Sequence, residues 1–158
     1  LGPTPGVQVS QQIAERREIN DAGVPDALRR AAESEHAPLR LEASAALARL
    51  GTADGIERLA ALRADPELEK GYRLHQLLGK YRLLAHEFEQ AAGDFERVLE
   101  RTPNYLPVIE DLGVVYCNLE RFEDARDLWR RGLTINPDNA ALREKIHLAE
   151  VQILARED

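Results

Sequence analysis

The sequence predicts an all-α protein: a right-handed α-solenoid of roughly nine helices in antiparallel hairpins, closed by a C-terminal capping helix. Three observations carry this. Ala, Leu, Arg and Glu dominate, aromatic residues make up only 5%, and β-branched residues are scattered rather than clustered, a composition that favours helix over strand. Glycine and proline fall at intervals that cut the chain into helix-length pieces. Most specifically, residues 72–105 recur as residues 106–139, a period of 34. The shift pairs Leu78 with Leu112, Gly79 with Gly113, Phe88 with Phe122, Glu89 with Glu123, Ala91 with Ala125, Arg97 with Arg131, Leu99 with Leu133 and Pro103 with Pro137. Phe95 meets Trp129, an aromatic for an aromatic. Roughly two identities are expected by chance at average composition, and a period of this length marks an array of helical hairpins.

Residues 1–9, LGPTPGVQV, hold two Pro and two Gly with little to pack, and read as a disordered tether or remnant. Ser10 is a plausible N-cap for a first helix carrying Ile13 and Ile19, with Gly23 as its stop. Pro25 then sits in the first turn of a helix carrying Val24, Leu28, Ala31 and Ala32. Pro38 opens the next, whose stripe is Leu39, Leu41, Ala43, Ala46, Leu47 and Leu50 before Gly51. A helix from about Asp54 to Ala64 follows, ended by Asp65-Pro66.

In the repeated part, the first helix of each hairpin (A) runs from Leu68 or Tyr72 to Ala85 and from Leu106 to Leu119. The second (B) runs from Phe88 to Arg101 and from Phe122 to Ile135. Leu78-Gly79 and Leu112-Gly113 leave gaps on the A helices that Ala91 and Ala125 face, Phe95 and Trp129 fill the space between one hairpin and the next, and Pro103 and Pro137 end the B helices. A last helix carries Leu142, Ile146, Leu148, Ala149, Val151 and Leu154. It keeps the A-helix register but has His147 in the small-residue position and Glu150 in the tyrosine position, so it reads as a cap.

The segment LGVVYCNLERFEDARDLWRRGLTINPD resembles a tetratricopeptide repeat, with Leu112, Gly113, Tyr116, Ala125, Trp129 and Pro137 at the defining positions. The first copy matches through Leu78, Gly79, Ala91, Phe95, Val98 and Pro103, but Arg82 stands where the second has Tyr116, and His75 holds a place often aromatic. Upstream, Leu39 to Pro66, with LEASAALARLGTADGIERLAAL at its heart, resembles a short bacterial HEAT-like repeat, and residues 13–34 resemble a degenerate earlier copy. The expected organisation is a tether at 1–9, HEAT-like hairpins at 10–70, two tetratricopeptide repeats at 71–139 and a cap at 140–158.

Several function classes lose support. The net charge is −7 and acids outnumber bases in both halves, which argues against a grip on nucleic acid or an anionic membrane. The longest apolar run is too short to span a bilayer, and residues 1–158 contain no secretory h-region. Arginine outnumbers lysine 18 to 3, as suits a GC-rich bacterial genome, and the absence of methionine suggests a processed protein or an excised fragment. The lone Cys117 reports no oxidising compartment, so cytoplasm and periplasm both fit. His36, His75, His86 and His147 are dispersed, and no metal, phosphate-binding or nucleophile motif occurs. Glu144, His147 and Glu150 share a helix face, which reads as solvated charge rather than a metal site. No cofactor is expected, and an enzyme reading has no residues to carry it.

The family resemblance implies that A helices line a concave binding face. Its positions fall on Arg73, Gln76 and Lys80 in the first copy, on Glu110, Asp111, Val114 and Asn118 in the second, and on Glu144, Lys145 and Leu148 in the cap. A subfamily that grips C-terminal carboxylates of chaperones is not matched, since Asp111 replaces a key Asn and Ala141 a Lys, so a carboxylate would meet repulsion. The expected function is a non-catalytic protein–protein interaction module or scaffold that takes a peptide or partner helix on this face. The alternative is an assembly appendage of a larger multidomain protein, such as a multihaem cytochrome or membrane-linked assembly factor, with self-association as a further route.

Overall fold

The computed structural model describes residues 23–52 and 54–157. The tether and the helix expected from Ser10 lie outside the described residues, which contain helices, turns and no strand. They are α1 (23–31), α2 (Ala37–Arg49), α3 (Gly55–Ala61), a 3-10 turn (Leu62–Ala64), α4 (Pro66–Glu69), α5 (Tyr72–Leu84), α6 (Phe88–Arg101), α7 (Leu106–Asn118), α8 (Phe122–Ile135) and α9 (Ala140–Glu157). The chain divides into two compact units, one up to Arg58 and one from Leu59.

In the first unit Gly23 opens α1 and Pro25 lies in its first turn, while the helix that Gly23 was expected to end lies outside the described residues. Asp54 gathers this unit's ion pairs, receiving Arg58 Nε at 2.8 Å and Arg29 Nε at 3.2 Å. These bonds hold the Asp54 carboxyl well below the usual carboxylate range. Helix α2 ends as the sequence requires. Gly51 adopts φ 71°, its N–H donates to the Ala48 carbonyl, and the Thr52 N–H donates to the Leu47 carbonyl, the paired bonds of a Schellman cap. A Cβ on Gly55 would collide with the Ala48 backbone, so glycine is what lets the start of α3 lie against the end of α2.

In the second unit the period is reproduced residue for residue. Helices α5 and α7 start 34 positions apart, as do α6 and α8, and both A helices close with a non-glycine residue in the left-handed region, His86 at φ 61° and Glu120 at φ 57°. Each makes the same two cap bonds: Glu87 N–H to Arg82 and His86 N–H to Leu83 in one, Arg121 N–H to Tyr116 and Glu120 N–H to Cys117 in the other.

The aromatic pair does more than fill the space between hairpins. Phe95 is fully buried and packs in one cluster with Val108, Leu112 and Val115 of the next A helix, as expected. Its ring also lies on its own hairpin's glycine, where a Cβ on Gly79 would stand 2.6 Å from the ring carbons. Trp129 sits in the same way on Gly113, with its indole N–H donating to the Glu110 carbonyl at 3.2 Å. Removing the methyl on the A helix is thus what seats a large ring between two helices.

Helix α9 begins with Asn139, whose side-chain oxygen accepts the Leu142 N–H at 3.1 Å. Leu142, Ile146 and Ala149 bury against Ala125 and Trp129. Two ion pairs fasten the outer turns, Arg130 to Glu150 and Arg156 to Glu120, each at 2.7 Å, and the Arg156 guanidinium lies 4.5 Å over the Phe122 ring. The opposite edge stays open, with Leu148 57%, Val151 45% and Leu154 62% exposed.

Candidate functional site

The A helices α5, α7 and α9 carry all the residues expected to face a partner, and the structure sorts them into groups. Gln76 and Glu110 are repeat-equivalent and do equivalent work: Gln76 donates to the Tyr105 hydroxyl at 3.0 Å, and Glu110 accepts from the Asn139 amide at 2.9 Å. Each ties an A helix to the turn that opens the next one. Val114 is half-buried and packs against the Trp129 cluster. The exposed Asn118 amide donates back to the Val114 carbonyl at 2.9 Å. Arg73, Lys80, Glu144 and Leu148 are exposed.

Three of these residues act through their charge on a fourth, Asp111. Asp111 is half-buried on α7, and its carboxyl is pushed above the usual range, first by burial; Lys145 and Lys80 pull it down and Glu110 pushes it up. Lys145, Glu110 and Lys80 thus each act through their charge on Asp111. Lys145 also stands 5.8 Å over the Trp129 ring, at the rim of a depression of about 330 Å³ lined by Cys117, Phe122, Trp129, Leu148, Ala149 and Gln152. Burial pushes the Cys117 thiol up, which keeps it protonated and a poor nucleophile. Among the described residues no cluster of three or more His, Cys, Asp or Glu side chains could hold a metal, and no helix is long and apolar enough to cross a membrane.

A buried ionic cluster at the first repeat was not foreseen. Asp94 of α6 is fully buried. It takes Arg82 at 2.7 Å, His75 Nδ1 at 3.2 Å and the Arg63 guanidinium, while Glu69 takes His75 Nε2 at 3.1 Å and Arg97 at 2.7 Å. Burial works to raise the Asp94 carboxyl, but the His75 hydrogen bond and the two guanidinium charges outweigh it and hold the group below its usual range. The corresponding places in the second repeat are Ile109, Tyr116 and Leu128, an apolar set in which Tyr116 donates to Glu96 at 2.8 Å. Burial and then that bond push the Tyr116 phenol up to about 12. The signal was present as three simultaneous departures, at 75, 82 and 94, of complementary charge. Since Arg63 and Glu69 reach this cluster from outside the repeat, it also fastens the 3-10 turn and α4 to α5 and α6.

A family model described as Tetratricopeptide repeat matches residues 82–155, reaching into α9. No curated protein sequence matches the chain significantly. Among solved structures, MamA AMB-1 superposes with a TM-score of 0.74 at 21% identity, covering 94% of this chain and 81% of that one. Another crystal structure of MamA gives 0.74 at 17%, covering 99% and 89%, and MamA MSR-1 gives 0.73 at 22%, covering 94% and 86%. At these identities the likeness establishes the fold, an α-solenoid of helical hairpins. The 34-residue register, the Gly–aromatic packing and the family match agree in marking residues 82–155 as similar to tetratricopeptide repeats.

Proposed function

We propose that the chain is a non-catalytic protein-interaction scaffold that takes a peptide or partner helix on the face formed by α5, α7 and α9. Repeat arrays work through extended concave surfaces of this kind. The observation that supports this face is Asp111, a half-buried carboxylate that feels the charge of two lysines and makes no hydrogen bond or close ion pair with the described residues. Gln76 and Glu110 hold the turns between repeats, and Lys80, Asp111 and Lys145 are left to meet a partner. The test is capture of a partner from the native host by the full chain, repeated with Lys80→Glu/Asp111→Lys. Loss of the partner with unchanged circular dichroism supports this face, and full retention refutes it.

A second reading has one observation in its favour. The exposed apolar edge of α9, Leu148, Val151 and Leu154, suits an array that docks on another body of a longer polypeptide or on a second copy. Here the substitutions that matter would be Leu148→Glu and Leu154→Glu rather than those on α5 and α7.

A further inference from the structure

His75 stands between two carboxylates. Its ring is buried, with Nδ1 3.2 Å from Asp94 Oδ1 and Nε2 3.1 Å from Glu69 Oε2. An ionised carboxylate only accepts hydrogen bonds, and a neutral imidazole carries one N–H and one lone pair. Both contacts are hydrogen bonds only when both ring nitrogens are protonated, so this arrangement belongs to the imidazolium. The surrounding charges decide which contact depends on the second proton. Asp94 is fully buried and also receives Arg63 from the 3-10 turn and Arg82 of α5. Arg82 in turn faces Glu87, just before α6, at 3.6 Å. Glu69 is part-exposed and has a second partner in Arg97 of α6 at 2.7 Å. On the α7 side, the Tyr105 hydroxyl is taken by Gln76. A neutral ring therefore keeps its one N–H on Nδ1, toward the carboxylate that water cannot reach, and turns a lone pair on Glu69.

That loss falls on a segment with little else to hold it. No residue of the 3-10 turn or of α4 is buried, and a four-residue helix has too few internal bonds to persist by itself. The segment lies just past the boundary between the two compact units and leads into the first repeat. We propose that His75 is a proton-dependent latch: as the imidazolium it clamps α4 to α5 and α6 through Glu69, and as the neutral ring it lets Glu69 go and loosens α4. What then remains on Glu69 is the pair with Arg97, whose side chain is 52% exposed, and exposed pairs hold weakly. The latch is closed at lower pH and opens as pH rises. Its sign is opposite to that of Asp94, whose contribution is lost in acid. This inference is independent of the binding face proposed above.

The test follows the ¹⁵N-labelled full chain from about pH 5 to about pH 8. It reads the His75 ring nitrogens and the exchange protection of the Glu69, Lys70 and Gly71 amides, which donate to the Asp65, Pro66 and Leu68 carbonyls. His36, His86 and His147 are exposed and serve as references. The expected result is a His75 ring with two N–H groups at the acid end that loses the Nε2 proton as pH rises, with at least tenfold loss of protection at the three amides and the same midpoint. In Glu69→Gln the side-chain amide accepts from Nε2–H or donates to bare Nε2, so the ring still titrates while protection stays within twofold. A ring with one N–H at every pH, a ring that keeps both throughout, protection that does not follow the ring, or a Glu69→Gln protein that loses protection as the unsubstituted chain does would each overturn the latch.

Discussion

Substituting the same residue type at two glycines of the first repeat tests the packing account, because the structure assigns the two changes opposite signs. Gly93 is exposed on α6 with nothing within 4 Å of an added Cβ. Gly93→Ala therefore gains only helix propensity and lower unfolded-state entropy, about 0.5–1 kcal/mol. Gly79 is buried on α5, where the new Cβ would stand 2.6 Å from two carbons of the Phe95 ring and 2.9 Å from a third. Phe95 is fully buried and cannot swing aside, so an overpacking cost of about 1–3 kcal/mol opposes the same propensity gain. The net expectation for Gly79→Ala is a loss of about 1–2 kcal/mol, with Gly79→Ala/Phe95→Leu milder than the sum of its parts. Trp129 is the only tryptophan and lies in the neighbouring repeat, so its fluorescence follows urea unfolding without being touched. At an m-value of about 1–2 kcal/mol/M the midpoints of the two variants should separate by about 1 M or more. Equal stabilisation by both alanines would refute the claim that the ring occupies the glycine's missing side chain.

Other expectations follow from the ionic and capping contacts. Asp94→Leu leaves Arg82 and His75 without their buried partner and should cost about 3–5 kcal/mol, while His75→Ile/Arg82→Tyr/Asp94→Leu, which copies the second repeat, should recover at least half of that in urea unfolding. The two aspartates respond oppositely to pH. Asp94, with its folded pKa depressed, contributes stability above the ordinary carboxylate range that is lost as pH falls through its folded value, so Asp94 variants should show a flatter acid limb. Asp111, with its folded pKa raised, carries a penalty at neutral pH, so Asp111→Asn should raise the midpoint at pH 7 and lose that advantage in acid. His86→Gly relieves a left-handed residue and should stabilise by about 0.5–1 kcal/mol; Glu120→Gly should gain less, because it also removes the Arg156 ion pair. Trp129→Ala should cost about 3–5 kcal/mol, measured by circular dichroism because the fluorophore is gone.

The helices of the repeated part were legible because their limits are set by local chemistry. Pro103 and Pro137 stop the B helices, and Phe88 and Phe122 open them, so Phe88–Arg101 and Phe122–Ile135 match the expected limits. The left-handed caps at His86 and Glu120 were not legible, since neither residue is the glycine that usually marks such a turn. The Asp94 cluster draws on Arg63, Glu69, His75, Arg82 and Arg97, residues that converge only once the helices are packed. The expected partner-facing residues were chosen by register alone, which says where a side chain starts and not what it reaches. Gln76 and Glu110 reach turn residues 29 positions on, whereas Lys80 and Lys145 stand by the Tyr81 and Trp129 rings.

That division is the core of the proposal: the repeated residues, with Gln76, Glu110 and the Asp94 cluster, hold the hairpins together, and Lys80, Asp111 and Lys145 are the residues proposed to meet the partner. The most direct test is the affinity of a purified partner for the full chain carrying Lys80→Glu/Asp111→Lys, set beside Glu89→Lys/Glu123→Lys on the exposed starts of the B helices. The account predicts at least a tenfold loss for the first and less than a twofold change for the second, with both proteins folded. The reverse order, or equal losses, would contradict it.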